Sequence, residues 1–288
     1  MKTQFENRVM SSFLLWVDHT LLDKGEAYTN HGSNFYNVDT LYYNYHTYGS
    51  PFKQFVTDTS ITDATVISGV YIGGNSASNF KKTGQSPLVD INFEQGQVYF
   101  NAEEGSTISG DYAVKDFNIY LTAKAEQELL FENKIDLRPN TAQTVTGLAS
   151  ETASYPAIFI KNNGGTNDPF AFGGMDKTRI QARAIILSDS QFKLDAACAI
   201  FKDRARTRVP VISDENYPFN ALGGLKTGVY NYEALTKDIG YDSEVFISDV
   251  DVSRFSLGYM ENLKNTNPDV FKAIVDFELE TMRYPREG

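Results

Sequence analysis

The segment RIQARAIILSDSQFKLDAACAIFKDRARTR, Arg179 to Arg208, carries the clearest structural signal in the chain. Ile180, Ala182, Ala184 and Ile186 alternate with Gln181, Arg183 and Ile185, the period of two expected of a strand with at least one fully buried face. The period then changes. Ser188-Asp189-Ser190 supplies N-cap chemistry, and Leu194, Ala197, Cys198, Phe201 and Ala205 fall on one stripe of a helix. Arg204, Arg206 and Arg208 suit the negative end of the helix dipole, and Pro210 follows the stop.

Working outward, Val245 to Val252 and Phe271 to Leu279 read as further strands. In the second, Phe271, Ala273, Val275, Phe277 and Leu279 alternate with Lys272, Ile274, Asp276 and Glu278, as in a half-buried antiparallel strand. Upstream, Tyr155 to Ile160 is an apolar strand entered through Pro156, and the Asn- and Gly-rich run Asn162 to Pro169 reads as a long loop. At the start of the chain, Thr3-Gln4-Phe5-Glu6 fits a capping box, and a helix is expected from about Gln4 to Leu22. Phe5, Val9, Phe13 and Trp16 recur along it at helical spacing, and Lys24-Gly25 ends it.

Between these parts the texture changes. From Glu26 to about Lys115, short aromatic and β-branched runs are broken by Gly, Asn, Ser and Pro, which reads as all-β. The expected strands are Pro51 to Val56, Thr65 to Ile72, Asp90 to Phe93, Gln97 to Phe100 and Asp111 to Tyr120, with Glu94-Gln95-Gly96 as a tight hairpin. Ala123 to Phe131 fits helix or strand equally. A lone amphipathic helix must bury its apolar face on something. Packing the first helix on the later strands and helix makes the middle segment an insertion. The expectation is an α+β domain of residues 1–25 and 119–288, an antiparallel or mixed sheet with flanking helices, carrying an inserted β-rich domain at 26–118.

Composition limits function. With 37 acidic against 26 basic residues the formal net charge is -11, a field that repels phosphate backbones and anionic lipid. Sequence-specific nucleic-acid binding and membrane association are therefore not expected. Cys198 is the one cysteine, so no intrachain disulfide forms and no zinc set has the right spacing. The run Phe13 to Val17 is too short for a membrane span or a usual signal core, which points to a chain kept in a reducing compartment.

Groups that could carry chemistry do not converge in the sequence. His19, His31 and His46 lack carboxylate partners at ligand spacing; His19 suits a helix end and the other two suit polar loops. Gly223-Gly224-Leu225-Lys226-Thr227-Gly228 has the composition of a phosphate-binding loop without its Gly-Lys-Ser/Thr adjacency, so a flexible loop is expected. Glu103-Glu104 and the pair Asp249 and Asp251 would serve acid–base work only in a desolvated cleft. Cys198 lies on an apolar stripe and reads as core. No catalytic residue, metal or cofactor is assigned, and the chain reads as a non-enzyme.

Two clusters read as contact surfaces. Arg204, Arg206 and Arg208, with Lys202, form the one basic patch on an acidic chain; they serve either as dipole complement or as a dock for an acidic neighbour. Tyr42, Tyr43, Tyr45 and Tyr48 lie in a Tyr- and Asn-rich stretch typical of interfaces, although a tyrosine-lined sheet face would look the same.

The succession of an N-terminal helix, a strand opened by Pro156-Ala157-Ile158-Phe159-Ile160, the strand and helix of Arg179 to Arg206, and the closing strand Phe271 to Leu279 resembles the tail-terminator proteins of tailed bacteriophages. Pro169-Phe170-Ala171-Phe172-Gly173-Gly174, Lys115 to Tyr120 and Val275 to Leu279 are likewise similar to virion proteins of contractile-tailed phages. The resemblance implies a terminator-like α+β subunit that closes with copies of itself into a ring, typically six-fold. Such a ring caps the tail tube and joins it to the head, so the expected partners are tail-tube, sheath and neck or head-completion proteins. It also implies assembly in the host cytoplasm and residence in the virion. The segment from about Glu26 to Asn118 departs from the pattern and would sit on the ring's periphery. Two other roles compete: a collar, baseplate or fibre adaptor whose β segment binds protein or glycan, and a hydrolase using loop carboxylates.

Overall fold

The computed structural model describes residues 3–132, 136–137, 154–240, 243–255 and 270–284. The chain opens with α1 (Phe5–Gly25) and then lays down β1 (Tyr28–Tyr42), β2 (Tyr45–Gly49), β3 (Gly69–Ile72), β4 (Phe80–Lys82), β5 (Leu88–Asn92), β6 (Gln97–Phe100) and β7 (Ile108–Lys115). These seven strands form one sheet in the order β4-β3-β7-β1-β2-β6-β5. β1 joins its two halves: Tyr28 to Phe35 pair with β7, whereas Tyr36 to Tyr42 pair with β2.

The second sheet has six strands: β8 (Asn118–Leu121), β11 (Ala157–Pro169), β12 (Asp176–Ser188), β13 (Arg208–Pro210), β14 (Glu244–Arg254) and β15 (Phe271–Arg283), in the order β13-β14-β15-β12-β11-β8. Two short strands, β9 (Asp136–Leu137) and β10 (Ser154–Tyr155), pair in parallel. Among the described residues the remaining α-helices are α2 (Gln191–Lys202) and the single turn α3 (Tyr232–Thr236), and Glu128–Glu132 forms a short π-helix.

This architecture corrects the expected α+β class. The described chain is mostly β, in two sheets, and its few helices do not flank a single central sheet. The cause lies in α1. Its buried residues include Val9, Met10, Ser12, Phe13, Leu15, Trp16, Asp18, Leu21 and Leu22, spread around much of the helix rather than confined to one stripe. Phe13 and Trp16 meet Phe277 of β15, with ring centroids 5.0 and 6.5 Å apart, while Leu22 packs with Val56, Ile61 and Ala113 beside β7. The helix is thus wedged between the sheets. One hydrophobic cluster runs through both, from Phe35, Ile91 and Phe100 to Ile160, Ala184 and Val275. α2 covers the same inner face of the six-stranded sheet through Leu194, Ala197, Cys198 and Phe201.

Several elements differ from expectation. Asn162 to Pro169 is not a loop but the outer half of β11, paired with β12 along its length. A register shift between Asn162 and Gly165 absorbs the extra residues. Glycine is needed there, because a Cβ on Gly165 would lie 2.1 Å from the Arg179 carbonyl oxygen. Pro51 to Val56 holds only an isolated bridge, Phe55 to Val114. The capping box of α1 sits one residue later than expected, with the Gln4 amide donating to Asn7 Oδ1 at 3.2 Å. α2 ends at Lys202, so Ala205 lies beyond it, and Ser190 makes no side-chain cap.

Candidate functional site

The predicted tyrosines lie on the β1–β2 hairpin. Tyr43 and Asn44 turn the chain with φ of 48° and 69°, the left-handed pair of a tight hairpin turn. Asparagine tolerates that conformation; tyrosine does so at a cost, and here its ring is 73 % exposed. Tyr42 stacks on Tyr99 of β6, with centroids 5.1 Å apart and planes inclined by 12°, and takes the Tyr43 ring edge-on at 4.7 Å. Tyr45 pairs with Tyr42 across the turn. Tyr48 is buried instead. Its hydroxyl accepts from the Glu104 amide at 2.7 Å and donates to the Glu104 carbonyl at 3.1 Å.

The predicted arginines follow α2. Arg208 reaches Glu244 at 3.1 Å, Arg206 is exposed with φ of 66°, and Arg204 has its Nε buried without a hydrogen-bond partner. They do not meet the tyrosines in one surface patch: Arg208 borders a shallow depression with Lys177, Glu280 and Met282, and Tyr42 borders a different one.

That second depression is a cleft of about 630 Å³ between α1, the β5–β6 turn, the end of β8 and the loop 217–223. Tyr42, Tyr99, Tyr120, Tyr217 and Phe219 give it aromatic walls, and Gln54, Asn92, Gln95 and Asn220 bring amides. Its walls are fastened to one another. Asn220 Nδ2 donates to Asp90 Oδ2 at 2.8 Å, while Asn220 Oδ1 accepts from the amides of Leu222 at 2.8 Å and Gly224 at 3.1 Å. Gly223 and Gly224 lie so close to β5 that added Cβ atoms would fall within 2.7 Å of the Asn92 side chain and 2.2 Å of the Asp90 carboxylate. The glycine run expected to be a flexible loop is therefore clamped, and it forms one wall. Asn92 in turn donates to the Tyr99 hydroxyl at 3.0 Å. Burial, with the nearby Tyr42 and Asp90, pushes the Tyr99 phenol up to about 12 despite the Asn92 contact. Lys115 sits at the cleft and is held by Asp18 at 2.8 Å.

His19, expected to serve a helix end, is a partner of a buried carboxylate. Its Nδ1 lies 2.7 Å from Asp58 Oδ2, and its ring stacks on Tyr232 at 4.4 Å. Asp58 Oδ1 accepts from Ser60 Oγ and from the amides of Ser60 and Tyr232. Burial raises the Asp58 carboxyl, but the His19, Tyr232 and Ser60 hydrogen bonds outweigh it and leave the group below its ordinary value. Sequence spacing could not find this set, because its members lie far apart in the chain. His31 stacks on Phe52 at 4.4 Å, and His46 stands on β2 opposite Phe100. Among the described residues no three His, Cys, Asp or Glu side chains gather as a metal site, and no helix is long and apolar enough to cross a membrane.

The outer face of the six-stranded sheet is charged from Lys177 to Arg183, beyond an apolar patch in which Phe159, Ile185 and Leu187 pack with Leu129 and Leu130. Arg183 makes a two-pronged contact with Asp276 (2.6 and 2.8 Å) and reaches Glu126 at 2.8 Å, while Lys177 and Arg179 hold Glu280. Asp249, Asp251 and Glu278 line the same face beside Arg183. Glu103 and Glu104 are not part of it; Glu104 is tied to Tyr48. At the edge, residues 162–169 of β11 are exposed and, among the described residues, pair with β12 alone, and the connecting tip carries Phe170 at 62 % and Phe172 at 107 % exposure.

No protein-family model matches the chain, and no curated protein matches it in sequence.

Proposed function

We propose that the chain is a structural protein of a bacteriophage virion, a ring-forming component of the tail or neck that joins tail tube to head. One observation carries this reading: the outer half of β11, which among the described residues pairs on one side only, and the two bare phenylalanines that follow it. An unpaired, exposed strand edge is a template for association with another chain, and proteins that work alone blunt such edges with charge, proline or a covering element. Here a register shift, Asp168 and Pro169 interrupt the edge, but it is long and ends in an apolar tip that they leave bare. Coverage by a neighbour in an assembly resolves that liability, and a closed ring supplies such a neighbour for every copy. The acidic balance of the chain also suits a wall past which DNA must slide without being gripped. A collar, baseplate or fibre adaptor is the second reading, favoured by the exposed Tyr43 at the β1–β2 tip.

The test is to image the purified chain alone and mixed with isolated tail tubes by negative-stain microscopy, and to look for it in purified virions by mass spectrometry. Rings, or density added at tube ends, and presence in particles are expected. Absence from particles overturns the proposal.

A further inference from the structure

We infer that the cleft between the two sheets binds a neutral oligosaccharide. The inference is independent of the ring proposal, since it concerns a different surface. The cleft volume of about 630 Å³ falls within the ~300–1,000 Å³ span of small-molecule sites. Its chemistry is specific in three respects.

First, the lining combines partly exposed aromatic rings with side-chain amides. Tyr217 and Phe219 bring aromatic surface suited to the C–H surfaces of a sugar ring, because the electron-rich face of an aromatic attracts weakly positive hydrogens. Gln95 and Gln97 offer donors and acceptors for hydroxyls. Second, among the described residues Oε1 of Gln95 and Oγ1 of Thr57, a residue only 1 % exposed, have no hydrogen-bond partner. Buried polar atoms left in this condition are costly, and a hydroxylated ligand would relieve them. Third, the alternatives fit poorly. Lys115, the one cation of the lining, is engaged by Asp18, and Glu94 stands nearby, so an anionic ligand meets no free positive charge. A peptide added as a further strand would need a free edge, yet the β8 edge at Ile119 is closed: both its amide and its carbonyl are bonded to the Gln54 side chain. The clamped loop 217–223 and the stacked Tyr42 and Tyr99 leave the walls in place before a ligand arrives, which lowers the ordering cost of binding.

Saturation-transfer NMR and calorimetry on the full chain test this with neutral hexasaccharides of glucose, galactose, mannose and N-acetylglucosamine, a sulfated hexasaccharide and a pool of unstructured decapeptides. At least one neutral hexasaccharide should bind, and Tyr42→Ala and Gln95→Ala should each weaken it about tenfold. Phe172→Ser, on the distant β-hairpin tip, should leave it unchanged. Near-ultraviolet circular dichroism identifies which variants remain folded, and the Gln95 variant keeps the test alive if the Tyr42 variant does not. No binding by any neutral sugar overturns the inference. So does binding confined to the sulfated sugar or the peptides, or binding that both folded variants leave intact.

Discussion

The Gln54 side chain pairs with the Ile119 backbone as a strand would: Nε2 donates to the carbonyl at 2.9 Å, and Oε1 accepts from the amide at 2.8 Å. Gln54 is 4 % exposed and holds φ at 55°, a conformation unfavourable for its residue type. The two bonds close the free edge of β8 and fasten the second sheet to the segment leading out of the first. Gln54→Ala removes them and strands both backbone groups of Ile119, so a loss of roughly 2–4 kcal/mol is expected in denaturant unfolding. Gln54→Asn suits the backbone angle but is one methylene short, and should recover only part of the loss.

Asp58 gives the fold a dependence on acid. Its folded carboxyl lies below the ordinary value of 3.8, so the group binds protons more readily in the unfolded chain. The stability it contributes is therefore fully present above 3.8 and is lost as pH falls from there through the lower folded value. Unfolding free energies measured at about pH 5 and at successively lower pH should converge between wild type and Asp58→Asn. A gap that stays constant across the range would contradict the assignment.

Phe13 and Phe277 couple α1 to the six-stranded sheet with their rings at 5.0 Å, and both are essentially unexposed. Each truncation to alanine should cost about 3–5 kcal/mol. The double variant should cost less than the sum, since the residues share one contact. Chemical denaturation of the four proteins in the cycle measures this coupling.

The exposed tip of β11 and β12 should separate assembly from stability. Phe170→Ser combined with Phe172→Ser removes no buried contact, so the unfolding free energy should change by less than about 0.5 kcal/mol per site. Under the ring proposal the same pair abolishes ring formation or attachment to tube ends, read by light scattering and microscopy. Unchanged assembly would count against the tip as the contact.

Local periodicity made part of this fold legible. The alternation of Ile180 to Ile186, the stripe of Leu194 to Phe201 and the alternation of Phe271 to Leu279 all report burial by near neighbours, and the matching strands and helix are present. Asn162 to Pro169 misled because its composition is that of a turn, while its pairing is dictated by β12 alongside. The sheet-rich class was missed for a related reason: α1 looked like an ordinary amphipathic helix, and nothing local records that a second sheet covers its other side. Of the cleft, only Tyr42 stood out in the sequence. Asn92 and Tyr99 meet across the β5–β6 hairpin, but Asn220 reaches Asp90 from 130 residues away, and the Gly223-Gly224 pair, read as a flexible loop, carried no hint of the strand it packs on.

The contact between Phe13 and Phe277 also bears on how the protein is made. Translation delivers α1 long before β15, so the helix must wait, its greasy surface uncovered, until the strand that Phe13 packs on has left the ribosome. Ribosome-bound chains that stop short of β15 should therefore recruit holdase chaperones at α1, and release them once β15 emerges.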